Sequence, residues 1–152
     1  MTRDALTSLR SYRSAPEHLI VGLMTGTSAD AVDAVLVRLK GEGLAAKHEV
    51  LAELERPLAD DLRDEVLAVV GAKTLEPERL MRLDAELGEL YAEAVSEVCD
   101  QAGVAVGKLA AIGSHGQTVR HIPRSGGGGR ALTFSAGFGR DARRAHGRHG
   151  RE

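Results

Sequence analysis

The chain has 152 residues, of which 43% are apolar, and its charged side chains nearly cancel to a net charge of −2. This length suffices for one domain with a buried core, and the balanced charge excludes a chain-wide polyelectrolyte that coats nucleic acid. Two Tyr, two Phe and no Trp offer few surfaces on which bases could stack, and the single cysteine, Cys99, excludes an internal disulfide bond.

The first 17 residues contain three arginines but no apolar run, so they lack the pattern of a signal peptide. We expect residues 1–17 to form a flexible leader that ends near Pro16. No apolar stretch of the sequence approaches the length that spans a bilayer, and we therefore predict a cytoplasmic protein.

Three apolar segments in succession predict β-strands. Residues 19–24 read LIVGLM, a compact run that is typical of a buried strand. Residues 31–39 are apolar on both alternating faces, which suits a second strand covered on both sides, and residues 45–54 follow as a third. The result is a meander whose first turn is unusually polar for its length.

Two helices and another strand come next. Pro57 opens a pattern with one apolar face and acidic residues in the first turn, which predicts a helix ending near Gly71. A longer helix is predicted from about residue 76 to residue 102, with Gly103 as its C-terminal cap. Residues 109–113 then form a short buried strand. The order β-β-β-α-α-β predicts an α/β layer fold in which the loops after strands carry the chemistry.

The sequence changes character after Thr133. Residues 134–152 contain no Leu, Ile, Val or Met but five arginines, two histidines and several glycines. Such a segment cannot bury enough apolar surface to offset its ordering entropy, so we expect a disordered basic tail. The alternative is a basic arm that binds nucleic acid, whose binding would depend steeply on salt.

The first motif that could carry chemistry covers residues 22–33 (GLMTGTSADAVD). Gly26, Thr27 and Ser28 form a turn between two strands that could aim backbone N–H groups and hydroxyls at a phosphate chain. Asp30 and Asp33 would repel phosphate unless Mg²⁺ bridges them to it. The alternative is an ordinary polar turn capped by Asp30. No Walker-type loop is present, which excludes a P-loop NTPase.

The second motif covers residues 114–123 (SHGQTVRHIP), directly after a buried strand. His115 and Gln117 could hydrogen-bond sugar hydroxyls or an amide, and Gly116 would let a ligand approach the backbone. The alternative for His115 is a structural histidine. The spacing of His115 and His121, without acidic or cysteine partners, argues against a zinc site.

Together the two motifs and the leucine-rich helix between them resemble the anhydro-N-acetylmuramic acid kinase family over residues 19–133. The resemblance implies an actin-like, hexokinase-like (ribonuclease H-like) fold of two domains with the active site in the cleft. It also implies that ATP and Mg²⁺ are used to open the 1,6-anhydro ring of the amino sugar with water and to phosphorylate its 6-oxygen. That reaction belongs to peptidoglycan recycling, and the expected partners are ATP and the sugar, with the family's homodimer left open.

The resemblance assigns roles to individual residues. The segment that would hold the ATP phosphates consists of Gly26, Thr27, Ser28, Ala29, Asp30, Ala31, Val32 and Asp33. The side of the cleft that faces the sugar would consist of His115, Gly116, Gln117 and Thr118. Asp30 and Asp33 would be the Mg²⁺ ligands. Family members usually have Leu at the position of Ala29 and Gly at that of Ala31. The Cβ of Ala31 would weaken phosphate binding if its φ angle had to be positive or if the phosphate had to approach it closely.

A larger departure follows Thr133. The family continues with a strand reading T-L-Q-x-G-D and later with G-D-F-R-x-x-D, whose last Asp is the general base. Neither pattern occurs here, and Asp141 lies outside the match, so no catalytic residue is assigned. We expect residues 18–133 to be an incomplete N-terminal kinase domain that is inactive alone. A shifted reading frame after residue 133 is our hypothesis for the tail, and resequencing the downstream locus tests it. The alternative function is a non-catalytic domain that binds a sugar or a partner protein.

Overall fold

The computed structural model describes residues 5–41, 43–124 and 131–138, and within them the chain forms a mixed α/β fold. The elements in chain order are α1 (Ala5–Ser14), β1 (Glu17–Thr25), β2 (Ala31–Lys40), β3 (Lys47–Pro57), α2 (Asp60–Gly71), α3 (Pro77–Gln101), β4 (Ala111–Ser114), β5 (Gln117–Ile122) and β6 (Leu132–Ala136). Short 3₁₀ turns lie at Gly43–Ala45 and Val106–Lys108. None of the helices in this described part is long and apolar enough to cross a membrane.

The main sheet has four strands in the order β3-β2-β1-β4. β2 pairs antiparallel with both β1 and β3, whereas β4 pairs parallel with β1. A separate two-stranded antiparallel sheet joins β5 and β6. This mixed sheet fits the N-terminal domain of an actin-like fold, and it brings the carboxyl ends of β1 and β4 to one edge.

One face of the main sheet carries the hydrophobic core. Alternate side chains of β1 and β2 lie buried on this face, because successive residues of a strand point to opposite sides. α3 packs against β1, β2 and β3, and α2 packs against α3 and β5. The apolar side chains of β1 and β2 that are buried in this core are Val21, Leu23, Val32, Ala34 and Leu36.

The end of α3 follows its sequence signal in detail. Gly103 has a φ angle of +64°. Its N–H donates to the carbonyl of Asp100, and the Val104 N–H donates to the carbonyl of Cys99. These two bonds form a Schellman motif, which satisfies carbonyls that have no partner within the helix. The prediction that Gly103 caps this helix is confirmed.

Two expectations about the elements differ from the structure. Residues 5–14, expected to lie in a flexible leader, form helix α1. Pro57 ends β3 rather than opening a helix, and α2 starts at Asp60. A proline, which has no N–H to donate, is tolerated there because β3 is an edge strand.

The tail boundary at residue 133 also differs. β6 continues through Ala136, which is fully buried, so residues 134–136 belong to the fold. Sequence composition missed this because three residues paired to β5 need no aliphatic run of their own. The rest of the predicted basic tail, residues 139–152, lies outside the described part of the chain.

Candidate functional site

The two motifs meet at one edge of the main sheet. Because β1 and β4 are parallel, with Leu23 opposite Ser114, both motifs leave the sheet at the same end. The His115 N–H donates to the Leu23 carbonyl at 3.1 Å, which continues the pairing by one residue. In open α/β sheets ligands bind outside the carboxyl ends of the strands, so this edge is the candidate site.

Residues 26–30, here called the hairpin tip, connect β1 to β2. The Ala29 N–H donates to the Gly26 carbonyl at 3.1 Å and closes a turn. The Leu58 N–H donates to the Asp30 carbonyl at 2.9 Å, which ties the tip to the segment that follows β3. Ala29 is fully buried and has a φ angle of +53°. The hairpin tip is therefore anchored from below by its backbone and by one small side chain.

The solvent-exposed side of the hairpin tip is polar, and its polar groups have no partners among the described residues. Thr27, Ser28 and Asp30 are exposed, as is Asp33 at the start of β2. Within residues 5–41, 43–124 and 131–138, none of these four side chains makes a hydrogen bond or an ion pair, and the N–H groups of Thr27 and Ser28 have no acceptor. Asp30 thus does not cap the turn with its side chain. Free donors on a tight turn can hold a phosphate chain.

The chemistry of this donor set fits Mg²⁺ bound together with a nucleotide. No group of three or more metal-ligating side chains occurs in the part of the chain that the structure describes. Mg²⁺ characteristically keeps several waters and takes one or two carboxylates plus substrate phosphates. Asp30 and Asp33 could supply those carboxylates. Ala29 and Val32 are buried, so they could contribute only through the backbone.

The second motif forms a turn followed by strand β5, whereas its polar sequence after a buried strand predicts a loop. The Gly116 N–H donates to Ser114 Oγ at 3.1 Å, and the exposed His115 has its ring Nδ1 3.1 Å from the Gly116 carbonyl oxygen. Gly116 has a φ angle of +67°, and a Cβ atom there would lie 2.6 Å from the Ala136 carbonyl oxygen. Glycine is needed here because the chain's own β6 crowds the position, rather than to admit a ligand.

Gln117 and Thr118 are less accessible than a sugar-binding role suggests. The Gln117 side chain is fully buried, and its Nε2 donates to the Thr118 carbonyl at 3.2 Å. Its Oε1 accepts no hydrogen bond within the described residues, which leaves a buried acceptor that a ligand donor would satisfy. Thr118 is half-buried. Of the four residues predicted to face the sugar, only His115 presents an exposed side chain.

A groove of about 600 Å³ lies beside this edge, on the face of the sheet opposite the core. It brings Asp33 of the first motif and His115 of the second into one lining, around the backbone of Gly22 and Gly113. A cavity of about 660 Å³ at the start of α3 is lined mainly by charged side chains, including the paired Glu65 and Arg79. Its lining contains no residue of either motif, whereas the groove contains residues of both.

Sequence reasoning missed two acidic residues of this groove. Glu53 and Glu55 of β3 line it, and Glu55 lies directly opposite Asp33 in the β2–β3 register. The alternation Glu53-Leu54-Glu55 signals that both carboxylates share a face, but their position beside Asp33 depends on strand register, which that pattern does not reveal. Three carboxylates make this side of the groove negative, so it repels phosphate in the absence of a cation.

The family model and the curated relatives point to one family. The family model described as anhydro-N-acetylmuramic acid kinase matches residues 18–134. An anhydro-N-acetylmuramic acid kinase of Bordetella pertussis is 49% identical over 111 residues, which are 73% of this chain and 28% of the relative. One from Caldanaerobacter subterraneus is 41% identical over 115 residues, which are 76% of this chain and 29% of the relative. The chain thus spans less than a third of the length of these curated relatives.

Among solved structures, one of CasPhi-2 (Cas12j) bound to crRNA and phosphorothioate-DNA is 22% identical to this chain. Its TM-score is 0.24, and the match covers 66% of this chain and 13% of that chain. A likeness this low carries no argument about fold or function.

Proposed function

The chain belongs to the anhydro-N-acetylmuramic acid kinase family, and we propose on that basis that its hairpin tip binds the phosphates of ATP for phosphorylation of the anhydro sugar. The observation that carries the proposal is the set of free groups on the tip. Thr27 and Ser28 offer N–H groups and hydroxyls that no other described residue engages, at the edge where β1 and β4 end. Such donors match the charge and the hydrogen-bonding capacity of a phosphate chain.

Asp30 and Asp33 are proposed to hold Mg²⁺ through one or two carboxylate contacts or through water. The bound ion would neutralise the phosphates, which the negative side of the groove otherwise repels. Glu53 and Glu55 add to that repulsion, so nucleotide binding is expected to require the cation. The protein's own part is to orient the Asp30 carboxylate on the anchored turn and the Asp33 carboxylate on β2.

The sugar side of the site is proposed to begin at His115. This residue is exposed and lines the groove together with Asp33. Gln117 would contribute only through its buried, unpaired Oε1, and Gly116 and Thr118 through the shape of the turn. Positioning and electrostatic stabilisation supply most of the catalysis in phosphoryl transfer. Residues 1–152 provide only part of that constellation, so we expect them to bind nucleotide without turnover when they are expressed alone.

Calorimetric titration of residues 1–152 with ATP tests this function, in the presence of Mg²⁺ and after chelation of Mg²⁺. Binding is expected only with the cation, and Asp30→Asn and Asp33→Asn are each expected to weaken it by about tenfold. Asp64→Asn is the matched control, because Asp64 is exposed on α2 and belongs neither to the hairpin tip nor to the lining of the groove. Its affinity is expected to equal that of the unmodified chain.

Three outcomes would contradict parts of the proposal. Equal affinities for all variants, or binding that survives chelation, would remove the phosphate and Mg²⁺ roles of the hairpin tip. Formation of the sugar 6-phosphate on addition of anhydro-N-acetylmuramic acid would show that residues 1–152 complete a site. Binding of the sugar without any binding of nucleotide would favour a non-catalytic sugar-binding domain.

A further inference from the structure

A buried hydroxyl pair joins the hairpin to the long helix. Tyr91, in the second half of α3, is fully buried, and its hydroxyl oxygen lies 2.7 Å from Thr25 Oγ1. Thr25 is the last residue of β1, directly before the hairpin tip, and is only 4% exposed. A buried hydroxyl without a partner is costly, so each of these groups satisfies the other. The end of β1 is therefore tied to a side chain 66 residues away.

The same tyrosine ring supports the segment that packs on the second motif. Gly137, with a φ angle of +97°, lies so close to the ring that a Cβ atom there would overlap it. The N–H groups of Gly137 and Phe138 both donate to Asp84 Oδ1 of α3, at 2.7 and 2.9 Å. The Phe138 ring in turn lies over Gly116, where a Cβ atom would be 2.9 Å from it. Tyr91 thus touches the first motif through its hydroxyl and reaches the second through Gly137 and Phe138.

We propose that Tyr91 is a positioning residue for the candidate site. Its hydroxyl sets where β1 ends and hence where the hairpin tip stands, while its ring sets where the chain after β6 lies against Gly116. The helix α3 carries both supports and so fixes the two motifs relative to each other. That the ligand of the tip is a nucleotide phosphate rests on the proposed function, whereas the mechanical coupling does not.

The state of the phenol suits this role. Burial raises the pKa of the Tyr91 hydroxyl above its usual 10.0, and the hydrogen bond with Thr25 opposes this only in part. The hydroxyl is therefore protonated throughout the neutral range. It can serve as donor or acceptor to Thr25 without a change of charge.

Tyr91→Phe tests the proposal, because it deletes the hydroxyl and keeps the ring that packs on Gly137. Thr25→Val deletes the other half of the pair with little change of shape. Each variant is expected to weaken binding of Mg²⁺–ATP by residues 1–152 by about fivefold. The affinity of the double variant is expected to lie within about twofold of that of the weaker-binding single variant. Both substitutions remove the same interaction, so their effects should not add. Tyr12→Phe, on α1, is the matched control and is expected to bind like the unmodified chain.

Hydrogen exchange gives a readout that does not depend on any ligand. Tyr91→Phe is expected to speed exchange of the Ala29 amide, which closes the turn, while amides of β3 keep their rates. A uniform rise in exchange, or a lower urea midpoint with unchanged affinity and unchanged Ala29 exchange, would show a merely structural role and overturn the proposal. If the unmodified chain binds no nucleotide, the proposed function fails, and the exchange result alone decides on Tyr91.

Discussion

At the scale of single residues, the hairpin tip shows where a substitution in the sequence matters. By the family resemblance, Ala29 and Ala31 depart from the usual Leu and Gly. A positive φ angle at Ala31 would be unfavourable for a residue with a Cβ. The structure places it at Ala29 instead, the only described residue other than glycine with a positive φ. Ala31 lies in β2 with ordinary strand geometry. The strain is therefore at the buried Ala29 under the turn, and Ala31 does not have the positive φ angle that would exclude its Cβ.

This strain predicts an unusual response to glycine. Ala34→Gly, in the buried part of β2, loses one methyl group and gains chain entropy on unfolding, at a cost of about 1.5 to 2 kcal/mol. Ala29→Gly suffers the same losses but is relieved of about 1 to 2 kcal/mol of left-handed strain. We expect Ala29→Gly to stay within about 0.5 kcal/mol of the unmodified chain in urea unfolding. Equal destabilisation by both variants would contradict the argument.

At the scale of elements, the long helix α3 was easier to predict than the second sheet. The predicted long helix appears as Pro77–Gln101, because its leucine spacing and its capping glycine are local signals. β5 was missed because Gln117 and Thr118 are polar. Its buried alternation arises from packing on α2 and pairing with β6. The ion pair between Glu65 of α2 and Arg79 of α3 was not predicted either, since the two residues are 14 positions apart and no local pattern links them.

The Glu65–Arg79 ion pair predicts a pH dependence. Its two hydrogen bonds, at 2.6 and 2.7 Å, hold the pKa of Glu65 below the ordinary 4.5. A lowered folded pKa contributes stability that is present above 4.5 and is lost as the pH falls through the folded value. Glu65→Gln should therefore be less stable than the unmodified chain near neutral pH and equal to it in strong acid.

Urea unfolding over a series of pH values measures this difference. Because the Arg79 and Glu65 side chains are 42% and 34% exposed, solvent screens the pair and the effect near neutral pH should be small. Glu78→Gln is the control, since its carboxylate is 4.0 Å from Arg82 and both side chains are highly exposed. A difference for Glu65→Gln that persists in strong acid would show that something other than the charge is responsible.

At the scale of the whole molecule, the main sheet is covered on one face only within the described residues. The strands β1 and β2 carry apolar residues on both faces, which is typical of strands buried on both sides. The face opposite the core, here called the open face, exposes Met24 and Val50 at 51% and 47%. Apolar surface of this kind favours association, while the acidic Asp33, Glu53 and Glu55 on the same face oppose contact between two copies at low salt.

These opposing terms predict salt-promoted self-association of residues 1–152 through the open face. Met24→Lys is expected to lower both light scattering at high salt and binding of a hydrophobic dye. Met81→Lys is the matched control, because Met81 is 71% exposed on α3, away from this face. If both substitutions lower association equally, the open face is not the contact surface.

The local features of this protein follow from short stretches of its sequence. Apolar runs and helical spacing placed β1, β2 and α3, a glycine marked the end of α3, and the two motifs identified the family that the comparisons show. These signals lie within short stretches, because strand alternation, helix periodicity and capping depend on neighbouring residues.

The assembly of the candidate site depends instead on contacts between distant parts of the chain. The placement of Glu55 opposite Asp33, the burial of Gln117 and the bond between Thr25 and Tyr91 all join residues distant in the chain or depend on what packs over them. Strand register and side-chain packing are settled by the whole core at once, so no short pattern encodes them. The polar turn is predictable from its own residues, but the hydrogen bond from α3 that supports it is not.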